Sequence, residues 1–157
     1  MKNLLLIGMV AALLPLPARA ALNVFATVPE WAALVTEIGG GRVTVYSATH
    51  GLQDPHRIEA KPSLIARARA AKLVVATGAE LEVGWLPVVL RESGNRDIQP
   101  GQPGYFEAAS VVRMLEVPKV LDRAQGDVHA AGNPHIQTDP RNILKVAMAL
   151  SARLVEL

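Results

Sequence analysis

Three short apolar segments, each followed by a region with helical character, place the strongest constraint on the fold of this chain. Residues 22–28, 42–47 and 73–77 are rich in β-branched and other apolar side chains and have the length of buried strands. Strands that alternate with helices run parallel, and near-continuous apolar strands are covered on both faces. The sequence therefore predicts an α/β fold, with a parallel sheet flanked by helices on both faces.

The predicted helices begin at prolines or end at glycines, as those residue types favour. They span residues 29–38, 62–71 and 80–91, and Gly39-Gly40-Gly41 ends the first of them. The pattern weakens afterwards. Asp97-Ile98 is the one hint of another strand before Gly104, and residues 111–115 are expected to form one more element.

Asp139-Pro140 begins the last predicted helix, because Asp139 suits the N-cap and proline the first helical position. Its apolar stripe contains Ile143, Ala147, Leu150, Leu154 and Leu157. No Gly, Asn or Pro follows the stripe, so the helix is expected to be cut rather than finished. Leu150, Leu154 and Leu157 are then expected to be exposed and to promote aggregation or dimerisation.

The first 20 residues have the pattern of an export signal. Lys2 is followed by an apolar run at residues 4–14 and by small residues around Arg19. The run is shorter than the ~20 residues that a membrane-spanning helix needs, so cleavage is expected rather than anchoring. The sequence predicts export to the periplasm.

Charge and cysteine content exclude several classes of partner and site. Lys2 and Arg19 belong to the predicted signal, and the remainder carries 14 basic and 14 acidic residues. This balance gives no basis for binding nucleic acid or an anionic membrane. Cysteine is absent, which excludes disulfides, thiolate metal sites and a cysteine-linked lipid anchor. Any metal must be held by nitrogen or oxygen.

Two long polar loops, at residues 48–61 and 118–134, contain three of the four histidines, and His135 directly follows the second loop. Loops of this length are uncommon in compact domains unless they are functional or disordered. In a parallel sheet, ligands bind beyond the carboxyl ends of the strands. A proline stiffens the backbone before His56 and before His135, and neutral imidazole suits zinc. We expect His56 and His135 to bind metal, with His129 and His50 as accessory candidates. His129 is itself expected to be exposed to solvent.

Several motifs in order resemble the solute-binding proteins that deliver zinc or manganese to ABC importers. The segment at residues 54–63, Asp-Pro-His followed by Pro-Ser, is similar to the first ligand loop of that family. Residues 73–86 resemble its third strand and the Leu-Glu-x-x-Trp-Leu type stretch after it. Residues 133–140 resemble its second ligand loop, although Asn133 replaces the usual Asp, Gln137-Thr138 replaces Trp-Leu, and Leu64 stands where an Asp is common.

The resemblance implies two α/β lobes joined by a long helix, with the metal held in the cleft between them. Residues 21–138 would form the first lobe, and residues 139–157 the start of the helix. Zinc is favoured over manganese as the transported ion, and the implied partners are an ABC permease and its ATPase. The family's other ligands come from the second lobe. His56 and His135 would therefore bind zinc weakly on their own.

Two other functions remain open from the residues alone. The first is a metal-dependent hydrolase with a histidine-bound zinc and Asp54 as its base, although the chain lacks His-Glu-x-x-His and Gly-x-Ser-x-Gly. The second is a truncated gene product without function.

Four further side chains are expected to be structural. Trp31 and Trp85 lie on apolar helical faces and are assigned to the core. Glu80 and Glu82 are assigned to a solvated or locally hydrogen-bonded surface.

Overall fold

The computed structural model of the chain describes residues 20–120 and 128–157. All but the last residue of the predicted signal, and residues 121–127 of the second histidine loop, lie outside the described residues. Within the described ranges, no helix combines the length and the apolar character needed to cross a membrane.

Four parallel strands form one sheet in the order β2-β1-β3-β4. The strands are β1 Leu22–Ala26, β2 Val43–Ser47, β3 Leu73–Ala76 and β4 Tyr105–Glu107. The first three confirm the strands expected from the sequence. The hint of a strand at Asp97-Ile98 is wrong, because these residues lie in a turn and Ile98 packs into the core.

The four α-helices are α1 Pro29–Gly39, α2 Pro62–Ala70, α3 Leu86–Ser93 and α4 Pro140–Glu156. Short 3-10 turns span Gly40–Arg42, Ala108–Val111 and Ile136–Thr138. The expected element at residues 111–115 is wrong, since regular structure ends at Val111 and residues 113–115 have none. The third helix begins at Leu86 rather than Glu80, because Gly78, Ala79 and Glu80 have positive φ angles that a right-handed helix excludes.

Helices cover both faces of the sheet. Successive residues of a strand point to opposite faces, so Val24 and Val75 pack with α1 and α4, whereas Phe25 and Val74 pack with α2 and α3. Both clusters contain fully buried side chains. The expectation of an α/β lobe with helices on both faces is confirmed.

Helix α4 packs against the lobe itself. Leu150 is fully buried, and Leu154 and Leu157 are half-buried against the cluster that also contains α1. The expected exposure of these three leucines is therefore wrong, because their stripe faces α1 rather than solvent. The exposed large apolar side chains of this helix are Leu144, Met148 and Val155.

Asp139 caps α4 as expected. Its Oδ1 accepts from the backbone N–H of Arg141 at 2.9 Å, and its carboxylate also receives the Arg141 guanidinium, with Nη2 2.7 Å from Oδ2. The side-chain hydrogen bond from Arg141, followed by the backbone one, lowers the pKa of Asp139 to about 2.

Candidate metal centre

The loops that contain the histidines meet at the carboxyl edge of the sheet. The loop after β2 contains His56, and the 3-10 turn after β4 leads to Leu115. The backbone N–H of Asn133 donates to the Leu115 carbonyl at 2.8 Å, which brings the second Pro-His segment to this edge. The sheet topology thus places two distant segments of sequence side by side.

Three of the four imidazoles lie next to one another. The ring centroids of His56 and His129 are 5.1 Å apart in a stacked arrangement, and those of His56 and His135 are 5.9 Å apart, edge to face. The His56 side chain is 21% exposed, whereas His135 is exposed. The structure therefore brings together the two histidines expected to bind metal, with His129 beside them.

Asp54 orients the His56 ring. Its Oδ1 lies 2.8 Å from His56 Nδ1 and accepts from the His56 backbone N–H at 3.0 Å. These bonds, the side-chain one first, lower the pKa of Asp54. The contact assigns the ring proton to Nδ1, so Nε2 keeps its lone pair. A carboxylate behind a histidine in this way fixes the ring and makes it a stronger metal ligand.

Asp54 was considered in the sequence only as a hydrolytic base, and its orienting role was missed. The sequence could have indicated this role, because an aspartate two residues before a histidine can accept a hydrogen bond from the backbone N–H of that histidine. Both contacts are made by Oδ1, whereas Oδ2 lies 3.6 Å from Arg57 Nε.

His129 lies against His56 instead of standing in solvent. The two Nε2 atoms are 3.1 Å apart, and the His129 residue is half-buried. Two nitrogens that bind one tetrahedral zinc at about 2.0–2.1 Å are themselves roughly 3.3 Å apart. The expectation of an exposed His129 is wrong, because the ring stacks on His56. The 3.1 Å contact is a hydrogen bond between the two rings, and its length is also close to the spacing of two nitrogens that bind one zinc.

The turn before His135 repeats the one before His56. Asn133 Oδ1 accepts from the His135 backbone N–H at 3.0 Å, and Asn133 Nδ2 donates to Glu116 Oε2 at 2.8 Å. The replacement of the usual Asp by Asn133 therefore keeps the turn and adds a bond to the loop after β4.

His50 is not brought to this group by the contacts in the structure. Its residue is exposed, its Nδ1 accepts from the Leu52 N–H at 3.3 Å, and its own N–H donates to Gln53 Oε1. These contacts remain within its own loop.

The core holds the His56 loop in place. The Trp85 indole N–H donates to the Pro55 carbonyl at 2.9 Å, and a Cβ on Gly84 would lie 3.3 Å from the His56 carbonyl oxygen. Trp85 is 1% exposed, which confirms its assignment to the core. Trp31 is also fully buried, with its indole N–H on Thr77 Oγ1.

Glu82 is buried at the turn after β3, and its assignment to the surface is wrong. It is 3% exposed, and its Oε1 accepts from the Thr27 hydroxyl at 2.6 Å and from the Thr77 N–H at 2.8 Å. Its Oε2 accepts from the Gly78 N–H at 3.1 Å. The turn after β3 directs this side chain inward, whereas Glu80 is exposed as expected.

In residues 20–120 and 128–157, no three His, Asp or Glu side chains stand together in an arrangement ready to hold a metal ion. The His56–His129 pair has suitable spacing, and His135 approaches it edge-on. What the fold and these histidines define is an α/β lobe with imidazole donors at the carboxyl edge of its sheet.

Comparison of the sequence with known protein families also indicates a metal-binding protein. The family described as "Zinc-uptake complex component A periplasmic" matches residues 24–157. The chain belongs to this family. No curated protein sequence matches it.

Solved structures share the fold. Crystal structures of ZnuA and of a zinc-bound ZnuA with residues 138–173 deleted match with TM-scores of 0.69 and identities of 24% and 26%. Each match covers 87% of this chain, but 47% and 46% of the respective ZnuA chains. The chain therefore spans about half their length.

Two further structures match over a similar part of the chain. The metal-dependent lipoprotein YcdH of Bacillus subtilis matches at 21% identity and a TM-score of 0.65, over 86% of this chain and 44% of that one. A manganese-bound periplasmic metal binding protein of Candidatus Liberibacter asiaticus matches at 16% identity and 0.61, over 86% and 46%.

Proposed function

We propose that this chain is the metal-capturing lobe of a periplasmic solute-binding protein that delivers zinc to an ABC permease and its ATPase. Membership of the zinc-uptake family supports this function. The observation that carries it is His56, whose Nδ1 bonds Asp54 while its Nε2 lies 3.1 Å from His129 Nε2 and its ring centroid lies 5.9 Å from that of His135. We assign His56 and His135 as ligands of the transported ion.

Zinc suits these donors better than manganese does. Imidazole nitrogen is a good ligand for zinc, whereas manganese favours carboxylate, carbonyl and water oxygens. Relatives of this fold include both a zinc-bound ZnuA and a manganese-bound protein, so likeness of fold alone does not select the metal. The preference for zinc rests on the nitrogen donors.

We infer that residues 21–138 form the first of two lobes and that residues 139–157 begin the helix between them. The matched structures are about twice as long as the aligned part, which leaves room for a second lobe. Residues 1–20 are proposed to direct export and to be removed. In such an arrangement the protein binds and releases zinc without chemical conversion.

A competition titration with a chromophoric zinc chelator tests the proposal. We expect His56→Ala and His135→Ala each to lower zinc affinity by about tenfold or more, on the scale at which metal sites respond to lost supporting groups. His50→Ala is the matched control, since His50 is exposed and makes its contacts within its own loop. Unchanged affinity in both ligand variants would contradict the assignment.

A further inference from the structure

The turn that follows β3 has an unusual backbone. Gly78, Ala79 and Glu80 have φ angles of 81°, 49° and 68°, in the left-handed region that non-glycine residues rarely adopt. Such a conformation persists only where its surroundings determine it, and it is concentrated at functional sites. Neighbouring groups must therefore hold residues 78–80 in this conformation.

Two carboxylates hold the turn from inside. Glu82 accepts from the Thr77 and Gly78 N–H groups, and Glu107 Oε1 accepts from the Ala79 N–H at 3.4 Å. Glycine is favoured at position 78 by its φ angle of 81°, and a Cβ there would displace the Glu107 side chain. These contacts fix the direction in which the next residue, Glu80, leaves the turn.

Glu80 reaches the segment that contains the third histidine. Its Oε2 accepts from the Ala130 backbone N–H at 2.5 Å, across 50 residues of sequence. Ala130 directly follows His129, whose Nε2 lies 3.1 Å from His56 Nε2. The carboxylate thus holds the backbone next to an imidazole that already faces the proposed metal ligand.

We propose that His129 is a third zinc donor within this lobe and that Glu80 is the positioning residue that docks it on His56. This inference rests on the proposed function, and it gives a defined role to His129, which the sequence offered only as an accessory candidate. The His56–His129 nitrogen spacing suits two ligands of one zinc, as described above. His135 is exposed, and its ring centroid lies 5.9 Å from that of His56. Three imidazoles form an open zinc site with a fourth position for water or another donor.

Zinc affinity measured in a double-mutant cycle tests the role of Glu80. We expect His129→Ala to lower affinity roughly tenfold or more, and Glu80→Ala to lower it several-fold. Glu80→Ala should have no further effect in the His129→Ala background, because Glu80 acts through His129. Glu80→Gln should restore most of the affinity, since its amide oxygen still accepts from Ala130. Glu37→Gln, another exposed glutamate, is the matched control.

X-ray absorption of the zinc-loaded chain counts the donors directly. We expect three imidazole nitrogens in the unsubstituted chain and two in His129→Ala. A merely structural role for Glu80 would lower the melting temperature of Glu80→Ala and leave its zinc affinity unchanged, which would overturn the positioning role. An equal loss from Glu80→Ala with and without His129 would overturn it as well.

The outcomes separate this inference from the proposed function. If His56→Ala loses affinity while His129→Ala binds as the unsubstituted chain does, the third donor is refuted and the proposed function stands. If neither substitution changes affinity, the proposed function itself fails.

Discussion

Glu82→Gln removes the charge from a buried side chain that receives three hydrogen bonds. The glutamine oxygen can keep the bonds from Thr27 and Thr77, which both go to Oε1. Its NH2 group then faces the Gly78 N–H, so two donors oppose each other where Oε2 now accepts. A hydrogen bond to a charged group contributes about 1.5–3 kcal/mol, so we expect stability to fall by about 2–3 kcal/mol.

Thermal unfolding followed by circular dichroism measures this loss. For a chain of this size, about 2–3 kcal/mol corresponds to a melting temperature lower by roughly 4–12 °C. Glu92→Gln is the matched control: its side chain is 52% exposed, and a surface substitution of this kind usually changes stability by less than about 0.5 kcal/mol. If both variants melt within a degree or so of the unsubstituted chain, Glu82 does not hold the turn as described.

Three further predictions follow from single contacts. Trp85→Phe removes the indole bond to the His56 loop, so stability should fall by about 1–2 kcal/mol in urea unfolding, together with zinc affinity. Gly104→Ala would push a Cβ into two backbone carbonyl oxygens and should destabilise by about 1–3 kcal/mol or more, whereas Gly51→Ala, with open space around it, should not. The pKa of Asp139 is lowered from 3.8 to about 2 by Arg141, so its stabilisation is complete above pH 3.8 and is lost as pH falls through about 2. The stability difference from Asp139→Asn, measured by urea unfolding across this range, should disappear at the acid end.

Most of the fold was predictable because its signals are local. The strand β3 is a continuous apolar run, and α4 begins at an aspartate and a proline that suit those positions. The strand β4, Tyr105–Glu107, has three residues and pairs with β3, so its position depends on a distant partner. The start of α3 was wrong because the turn at residues 78–80 depends on the buried Glu82 carboxylate and on Glu107, which are contacts between side chain and backbone that no periodicity reports.

The site, like the fold, was predictable only where it depends on local sequence signals or on the sheet topology. Ligands bind beyond the carboxyl ends of parallel strands, so a site shared by the His56 and His135 loops was predictable, whereas the bond from Asn133 to Leu115 that holds the second loop there was not. The position of His129 depends on a contact between Glu80 and Ala130, and no periodicity in the sequence reports such a contact. Glu82 was assigned to the surface for a related reason: a helix was expected from Glu80, whereas a left-handed turn precedes Glu82 and its side chain is buried.

Nitrogen NMR of the imidazole rings during a zinc titration tests the central claim most directly. The account predicts that the chemical shifts of His56 Nε2 and of Nε2 or Nδ1 of His135 change on addition of one equivalent of zinc. His56 Nδ1 should stay protonated and continue to donate to Asp54. The ring nitrogens of His50 should stay unchanged. Zinc that shifts His50, or that leaves His56 Nε2 unaltered, would contradict the proposal that this lobe captures the metal through the Pro-His loops.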